Sequence, residues 1–341
     1  MRAAFAPAAG RLDLRDVAAP APGPGEVLVR VRACGICGSD LHWYAGAGAP
    51  PRVCPGHEIA GAVAALGAGV RGVRVDDAVA VEPAVVCGVC VACRAGLRQR
   101  CPRLRILGMH RPGGLADFVL APADALFALP GGLDWALAAL TEPLAVCVHA
   151  VRRAAIEPGQ RVLILGAGAI GLLSVAAARA AGATEVWITA RYLHQAALAQ
   201  RLGATRVFAA DADGDAERAA LTAERPIDAV LETVGGAADT IADGVRAVRA
   251  GGTVVVLGVF SGAPTLPATT LLIKEVRLVG SMMYDRAGPQ ADFAAAIELL
   301  AAQADALSPL VTHRLGLDDV AQAFAAAADK GAGAVKVSVL P

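Results

Sequence analysis

The feature that most constrains the fold is a regular alternation of aliphatic strands and helical stretches in the second half of the chain. Six short runs carry the strand signal, and the stretches between them fit crossover helices. These runs are Val162–Leu165, Glu185–Thr189, Arg206–Ala209, Ala229–Glu232, Thr253–Leu257 and Arg277–Val279. Because parallel strands need such crossovers, the pattern predicts an α/β domain with a doubly wound parallel six-stranded sheet over residues 151–284.

The rest of the chain has a different pattern. Short β-type runs separated by Pro and Gly clusters occur at Val27–Val31, Ala78–Val81 and Asp117–Leu120. Helices are predicted over 290–302 and 320–328, and the final run Val335–Val339 fits the first lobe better than a seventh parallel strand. A length of 341 residues also exceeds what one core usually serves. We therefore expect a β-rich domain from residues 1–150 and 285–341.

Charge and hydropathy indicate the kind of partner. The chain has 31 basic and 31 acidic side chains, so neither nucleic acid nor an anionic membrane surface is an expected partner. The expected partner is a small molecule. No long apolar stretch precedes Arg11 and Asp13, which argues against a secretory signal and favours the cytoplasm. The uncharged stretch 162–178 contains three glycines and reads as a buried strand followed by a helix rather than a membrane span.

Four of the eight cysteines lie in one short loop, at Cys87, Cys90, Cys93 and Cys101. Four thiolates at close spacing are the ligand set of a closed tetrahedral zinc site. A disulfide framework is the alternative, but reducing thiol pools in the cytoplasm disfavour it. The loop is therefore predicted to be a structural zinc lobe.

A glycine motif follows the first predicted parallel strand and opens a helix. It reads Gly166-Ala167-Gly168-Ala169-Ile170-Gly171. In this context the first glycine makes a tight turn, the second lets backbone approach a pyrophosphate, and the third lets helix pack on strand. The motif predicts dinucleotide binding, with a glycine-rich core turn as the alternative.

The end of the next strand bears on which nicotinamide cofactor is bound. NAD enzymes usually place an acidic residue there to hold the ribose 2′-hydroxyl, whereas this strand ends in Ala190-Arg191. A guanidinium pairs with a 2′-phosphate, so the position favours NADP. The alternative is that Arg191 is a solvated residue near the adenine and that NAD is used.

Cys37 and His57 are candidate ligands of a second zinc ion, with a carboxylate and an open position completing the site. On residue chemistry alone this is only suggestive, because single cysteines and histidines are more often packing residues.

The order of the motifs adds to this interpretation. CGICGSDLH at 34–42, GHE at 56–58, the four-cysteine loop, TEPL at 141–144 and GAGAIG at 166–171 follow one another along the chain. Together they resemble the zinc-dependent medium-chain alcohol dehydrogenases, and most of all the polyol (sorbitol) and threonine dehydrogenase branch. The resemblance implies a GroES-like catalytic domain, a Rossmann domain, and hydride transfer between a secondary alcohol or polyol and a nicotinamide cofactor.

The resemblance also implies residue roles. Cys37, His57 and Glu142 match the family's catalytic zinc ligands, the third binding directly or through water. Glu58 matches a neighbouring carboxylate that can enter the zinc shell, so the choice between Glu142 and Glu58 is open. Asp40 matches the group that orients the zinc-binding histidine.

Further residues match the proton relay and the substrate pocket. Ser39 matches the hydroxyl that accepts the alcohol proton, and His42 matches the outer end of the relay, with a structural role as its alternative. Trp43 and Tyr44 are expected to form the pocket floor, with its walls at Leu115 and at Met109 or His110. The cysteines at 34, 54 and 147 match no ligand.

Three broader expectations complete the interpretation. The main rival enzyme is an NAD-linked sugar-alcohol or L-threonine dehydrogenase, and the remote rival is a non-catalytic cofactor-binding protein. Family members of bacterial type are often tetramers, which implies a homo-oligomer, either tetramer or dimer.

Overall fold

The computed structural model describes residues 1–341, which divide into two compact units. The first comprises Met1–Glu142 and Asp285–Pro341 and is called here the β-rich unit; the second, Pro143–Tyr284, is called the parallel-sheet unit. The division falls within a helix, at an earlier residue than the expected boundary near 150.

The amino-terminal part of the β-rich unit is built from short strands and helices. The strands are β1 (Arg2–Ala8), β2 (Arg11–Asp16), β3 (Glu26–Gly35), β4 (Glu58–Leu66), β5 (Ala78–Val81), β6 (Ala84–Val85), β7 (Arg105–Ile106), β8 (Phe118–Pro122) and β9 (Leu126–Ala128). The helices are α1 (Gly38–Tyr44), α2 (Val91–Arg94) and α3 (Trp135–Ala138), with 3₁₀ turns at Arg98–Arg100 and Ala123–Ala125. Helix α4 (Thr141–Ala154) begins in this unit and continues into the parallel-sheet unit.

The parallel-sheet unit contains the six strands that the sequence predicts. They are β10 (Arg161–Leu165), β11 (Glu185–Ala190), β12 (Arg206–Ala209), β13 (Ile227–Glu232), β14 (Val248–Val256) and β15 (Arg277–Gly280). The helices are α5 (Ala169–Ala180), α6 (Leu193–Arg201), α7 (Ala212–Glu224), α8 (Thr240–Ala247) and α9 (Ala268–Ile273). All pairings are parallel, in the order β12-β11-β10-β13-β14-β15, which confirms the doubly wound sheet.

The chain then returns to the β-rich unit. Its last elements are α10 (Asp292–Ala302), α11 (Ala304–Leu307), β16 (Val311–Gly316), α12 (Val320–Ala328) and β17 (Lys336–Leu340), with 3₁₀ turns at Ser308–Leu310 and Leu317–Asp319. Strand β17 pairs with β16 and with β3 in a seven-stranded sheet. The predicted return of the C-terminal strand is confirmed, and it brings Lys336 beside the start of β4.

Each unit has its own apolar core. In the β-rich unit Val29, Val63 and Val79 are fully buried, and in the parallel-sheet unit Leu163 and Trp187 are. The charge-free stretch 162–178 covers β10 and most of α5, as expected. No single helix combines the length and apolar character needed to cross a membrane, although the bent pair Asp292–Ala302 and Ala304–Leu310 meets that test of length and composition.

Candidate active site and metal centres

Cys37 lies at the start of α1, where the local hydrogen bonds fix its position. Its backbone N–H donates to the Asp40 carboxylate over 3.1 Å, and this caps the helix. Asp40 is 2% exposed, whereas Cys37 is partly open to solvent. The helix start therefore presents a thiol outward and a carboxylate inward.

His57 lies between these two groups. Its Nδ1 is 4.0 Å from Oδ1 of Asp40, and its Nε2 is 3.5 Å from the Ser39 hydroxyl oxygen. Gly56, just before it, has φ +95°, and a side chain there would come within 2.6 Å of the Cys34 sulfur. Only glycine therefore suits this approach, which places the imidazole against α1.

The acidic groups around His57 create an environment that favours a positive charge. Burial alone would lower the pKa of His57, but the nearby acidic groups of Asp40, Cys37 and Glu142 outweigh burial and raise the pKa well above its ordinary range. Nδ1 is buried and has no hydrogen-bond partner within 3.5 Å. A sulfur, an imidazole nitrogen and carboxylate oxygens form the donor set of an open zinc site. The residues present therefore fit a zinc ion.

Glu58 has a partner that the sequence did not reveal. Lys336 of β17 donates to both carboxylate oxygens, at 2.5 and 2.8 Å, and to the Ile36 carbonyl. Both side chains are almost completely buried. Burial alone would lower the pKa of Lys336, but the Glu58 carboxylate outweighs this effect and raises it. Gly35 makes room, because a Cβ there would lie 1.9 Å from a Glu58 oxygen.

Glu142 is the second residue of α4 and is 7% exposed. It belongs to the β-rich unit, and its charge contributes to the raised pKa of His57. The structure therefore brings Cys37, His57, Glu58 and Glu142 into one electrostatic environment.

The two expected relay residues lie on the same short helix. Ser39 is half-buried beside His57, whereas His42 is exposed in the last turn of α1. One group therefore faces the proposed metal ligands, and the other faces solvent.

A cavity of about 360 Å³ opens beside Ser39. Trp43, Met109 and His110, which the sequence analysis assigns to the substrate pocket, line it together with Arg52 and Val53, which sequence reasoning missed. Tyr44 and Leu115 are not among its lining residues: Tyr44 packs against Phe324 at 5.2 Å between ring centres, and Leu115 is fully buried.

The four cysteines of the predicted lobe converge. Their sulfur atoms all lie within 4.8 Å of one another, with Cys87 at 3.8 Å from Cys93 and 3.6 Å from Cys101. Tetrahedral zinc with bonds of about 2.3 Å places its sulfur ligands about 3.8 Å apart. Backbone N–H groups of Val89 and Cys90 lower the pKa of Cys87 to about 5. None of the four is in a disulfide, so the cluster fits zinc.

The glycine motif forms the expected turn between β10 and α5. Gly166 has φ +99°, and a Cβ on Gly171 would lie 1.8 Å from the Gly166 carbonyl oxygen. Gly168 has open space around it and immediately precedes Ala169 and Ile170 in the first turn of α5. The turn is tight, the helix packs against it, and the second glycine leaves room for a pyrophosphate at a helix N-terminus.

The end of β11 lies beside this turn. Ala190 is buried, Arg191 is exposed, and Arg191 lines a cavity of about 290 Å³ with Gly166 and Thr189. Glu232, which sequence reasoning missed, accepts hydrogen bonds from the N–H groups after β13 and from Thr240. The small Ala190 and the cationic Arg191 fit a nucleotide.

The remaining cysteines are core thiols. Cys34, Cys54 and Cys147 are all buried. Burial raises the pKa of Cys34 well above its usual value and that of Cys54 to about 12. The Cys147 sulfur lies 3.2 Å from the Pro143 carbonyl oxygen.

Comparison with known proteins gives a consistent result. Residues 23–131 match the family described as alcohol dehydrogenase GroES-like domain, and residues 169–302 match zinc-binding dehydrogenase. Sorbitol dehydrogenase of Arabidopsis thaliana is 34% identical over 96% of this chain and 91% of its own length. L-threonine 3-dehydrogenase of Pyrococcus horikoshii is 35% identical over 92% and 90%.

A solved structure agrees as well. A putative zinc-binding dehydrogenase from Sinorhizobium meliloti, bound to NADP, superposes with a TM-score of 0.89 and 36% identity over 100% of this chain and 99% of that one.

The chain thus belongs to the zinc-dependent medium-chain alcohol dehydrogenases. Within that family its relatives place it in the polyol and threonine dehydrogenase branch. It is an oxidoreductase that transfers hydride between an alcohol and a nicotinamide cofactor.

Proposed function

We propose that the protein is an NADP-dependent dehydrogenase of a polyol or other secondary alcohol. The observation that carries the cofactor choice is the pair Ala190 and Arg191 at the end of β11, where a carboxylate is missing and a guanidinium faces the nucleotide cavity. The NADP bound to the Sinorhizobium meliloti relative supports the same choice. An NAD-linked sugar-alcohol or L-threonine dehydrogenase is the alternative.

Cys37, His57 and Glu142 are proposed to hold a catalytic zinc ion, which when bound supplies the Lewis acid for alcohol oxidation. Lys336 occupies both oxygens of Glu58, which favours Glu142 as the carboxylate ligand and Glu58 as a charged neighbour. Asp40 orients His57 through Nδ1, since that nitrogen faces its carboxylate and leaves Nε2 for the metal.

Ser39 is proposed to accept the proton of the alcohol, because this residue lines the cavity and its hydroxyl oxygen lies 3.5 Å from Nε2 of His57. His42 is proposed to exchange that proton with water from its exposed position on α1. Gly166, Gly168 and Gly171 orient the dinucleotide through the turn and the N-terminus of α5.

A second zinc ion is proposed in the cysteine lobe, held by Cys87, Cys90, Cys93 and Cys101, which gives two per chain. The mutual distances of the sulfur atoms support this stoichiometry. Elemental analysis of purified protein by mass spectrometry measures the stoichiometry directly, and an unchanged zinc content in Cys93→Ser would remove the lobe from the proposal.

Exchanging the residues at the end of β11 tests the cofactor choice. Arg191→Ala is expected to raise the KM for NADP by about 10- to 100-fold, the range for a lost hydrogen bond to a charged group, and to leave the KM for NAD nearly unchanged. Ala190→Asp is expected to lower the KM for NAD, because its carboxylate accepts from the ribose hydroxyl and repels a 2′-phosphate. Equal effects on both cofactors would overturn the NADP proposal.

We also propose that copies of the chain pair through the outer edge of β15. This strand ends the parallel sheet, and Leu272, Ile273 and Leu278 are exposed beside or on it. A cytoplasmic location is proposed because none of the eight cysteines is in a disulfide, and cell fractionation measures it.

A further inference from the structure

The cavity beside Ser39 has a positive charge at its rim that the proposed hydride transfer does not use. Arg52 lines this cavity and is exposed. It has no carboxylate partner, whereas Arg111, farther along the chain, pairs with Glu26 at 2.8 Å. Unpaired arginines at a binding cavity are candidates for ligand recognition, since the guanidinium has five N–H donors and no acceptor.

The acidic group in the same wall does not neutralise Arg52. Asp40 is buried, accepts the Cys37 N–H and faces His57. Its charge is therefore committed to the proposed metal site. The remaining charge of the cavity wall is positive.

The backbone around Arg52 restricts where the side chain can lie. Pro50 and Pro51 immediately precede it and also line the cavity. Each proline ring fixes its own φ, and Pro51 also restricts the residue before it. The prolines therefore limit the backbone conformations of the segment that carries Arg52 at the cavity.

His110 provides a second donor in the same wall. The backbone N–H of Ile106 donates to its Nδ1 at 3.1 Å, so Nδ1 is the acceptor in this ring. In the neutral imidazole the proton then resides on Nε2, which is left as a donor. Because His110 lines the cavity, Arg52 and His110 both offer N–H groups there, and neither offers an acceptor in this state.

We propose that the alcohol substrate carries an anionic group, a carboxylate or a phosphate, which Arg52 and His110 bind while the carbinol end lies at Ser39. The substrate class is then a sugar acid or a polyol phosphate rather than a neutral polyol. A guanidinium binds both anions through two parallel hydrogen bonds. The cavity volume of about 360 Å³ falls in the range for small-molecule sites. This inference rests on the proposed function, since it assumes that a polyol chain is oxidised.

A matched substrate series tests it. A hexitol, the hexonate of the same configuration and the corresponding hexitol phosphate are compared by kcat/KM on zinc-loaded protein at low ionic strength, with NADP and with NAD. We expect one of the anionic members to exceed the hexitol by at least about tenfold, the size of one charge-assisted hydrogen bond. The member that does so distinguishes a carboxylate from a phosphate. Added salt is expected to reduce the preference.

Variants assign the preference to one side chain. Arg52→Ala is expected to lower the ratio of anionic to neutral kcat/KM by about tenfold, and Arg52→Lys to retain part of it, because the charge remains but the planar fork is lost. Arg71→Ala removes an equally exposed arginine that does not line the cavity, and is expected to leave the ratio unchanged. A hexitol preference in the wild type, or an unchanged ratio in Arg52→Ala, would overturn the inference.

A binding measurement separates this inference from the proposed function. Isothermal titration of zinc-loaded protein with hexonate and with hexitol phosphate needs no turnover. Binding that Arg52→Ala weakens about tenfold, without oxidation of any member, supports the anion site and contradicts the proposed function. Oxidation of the series with equal affinity for neutral and anionic members supports the proposed function and overturns the anion site.

Discussion

At the scale of single residues, the ion pair between Glu58 and Lys336 is the feature of the site that the sequence did not predict. Both side chains are buried, and the pair joins the start of β4 to the last strand. A buried ion pair contributes little net stability compared with an apolar pair of the same size, but loss of one partner leaves an uncompensated charge. The pair therefore places a buried cation on the carboxylate that follows the proposed zinc ligand His57 in the chain.

Removing Lys336 should therefore be costly. Lys336→Met is expected to lower the free energy of unfolding by about 3–5 kcal/mol, because the Glu58 carboxylate would remain buried without a cation. The double variant with Glu58→Gln is expected to recover most of this loss. Urea denaturation followed by circular dichroism measures both. A single variant as stable as the wild type would show that the pair is not closed in solution.

At the scale of elements, the turn between β10 and α5 separates two uses of glycine. Gly171 lacks a side chain because the helix packs directly on the Gly166 carbonyl, whereas Gly168 faces open space. The packing of the protein itself requires glycine at 171, whereas the proposed dinucleotide would require it at 168.

Alanine at each position should have a different effect. Gly171→Ala is expected to lower the melting temperature and to weaken cofactor binding, since a Cβ would overlap a carbonyl oxygen at 1.8 Å. Gly168→Ala is expected to keep the melting temperature within about 2 °C and still weaken cofactor binding, because its methyl group would occupy the pyrophosphate position. Scanning calorimetry and cofactor titration measure the two effects. Equal melting losses would contradict the assignment.

Besides its proposed zinc, the cysteine lobe is linked to the rest of the β-rich unit by ion pairs. Arg98, in the 3₁₀ turn before Cys101, pairs with the buried Glu82 at 3.3 Å and with Asp124 at 2.9 Å. Arg286 also pairs with Glu82. A zinc ion bound in the lobe would therefore also hold in place the turn that carries Arg98, the cation paired with the buried Glu82.

Loss of one lobe ligand should release metal and structure together. Cys93→Ser is expected to reduce the zinc content by one per chain and to lower stability, since metal binding to a structural site is coupled to folding. Cys147→Ser serves as the control, because Cys147 is a buried cysteine outside both sets of ligands. Metal analysis and thermal unfolding report the two quantities. A variant that retains its full zinc content would remove Cys93 from the ligand set.

At the scale of the whole molecule, the sequence predicted those features that depend on short stretches of the chain, such as the parallel strands. The inner strands β10, β11 and β13 are largely aliphatic because both of their faces are covered, and their alternation with helical stretches made all six strands recognisable. The hydrogen bond between Glu58 and Lys336 spans 278 residues, and no local pattern specifies such a partner. The only available signal was a lysine inside the apolar run Val335–Val339. Arg52 was missed because a single exposed arginine has no sequence context that marks a cavity.

The proposed pairing of chains through β15 can be tested by a charge substitution. Ile273→Glu is expected to shift the protein toward smaller species, because it places a charge among exposed apolar side chains near the edge strand β15. Sedimentation velocity measures the distribution, with Val91→Glu, at an exposed apolar residue of the cysteine lobe, as the control. An unchanged distribution would place the interface elsewhere.

Zinc dependence is tested by measuring zinc content and turnover on the same samples during stepwise chelation. Polyol-dependent reduction of NADP is followed at 340 nm while zinc is counted by mass spectrometry. We expect two zinc ions per chain. Activity should be lost in proportion to the ion at Cys37 and His57, whose site is open, while the ion in the closed cysteine lobe is retained longer. Full activity after loss of that first ion would contradict the central claim.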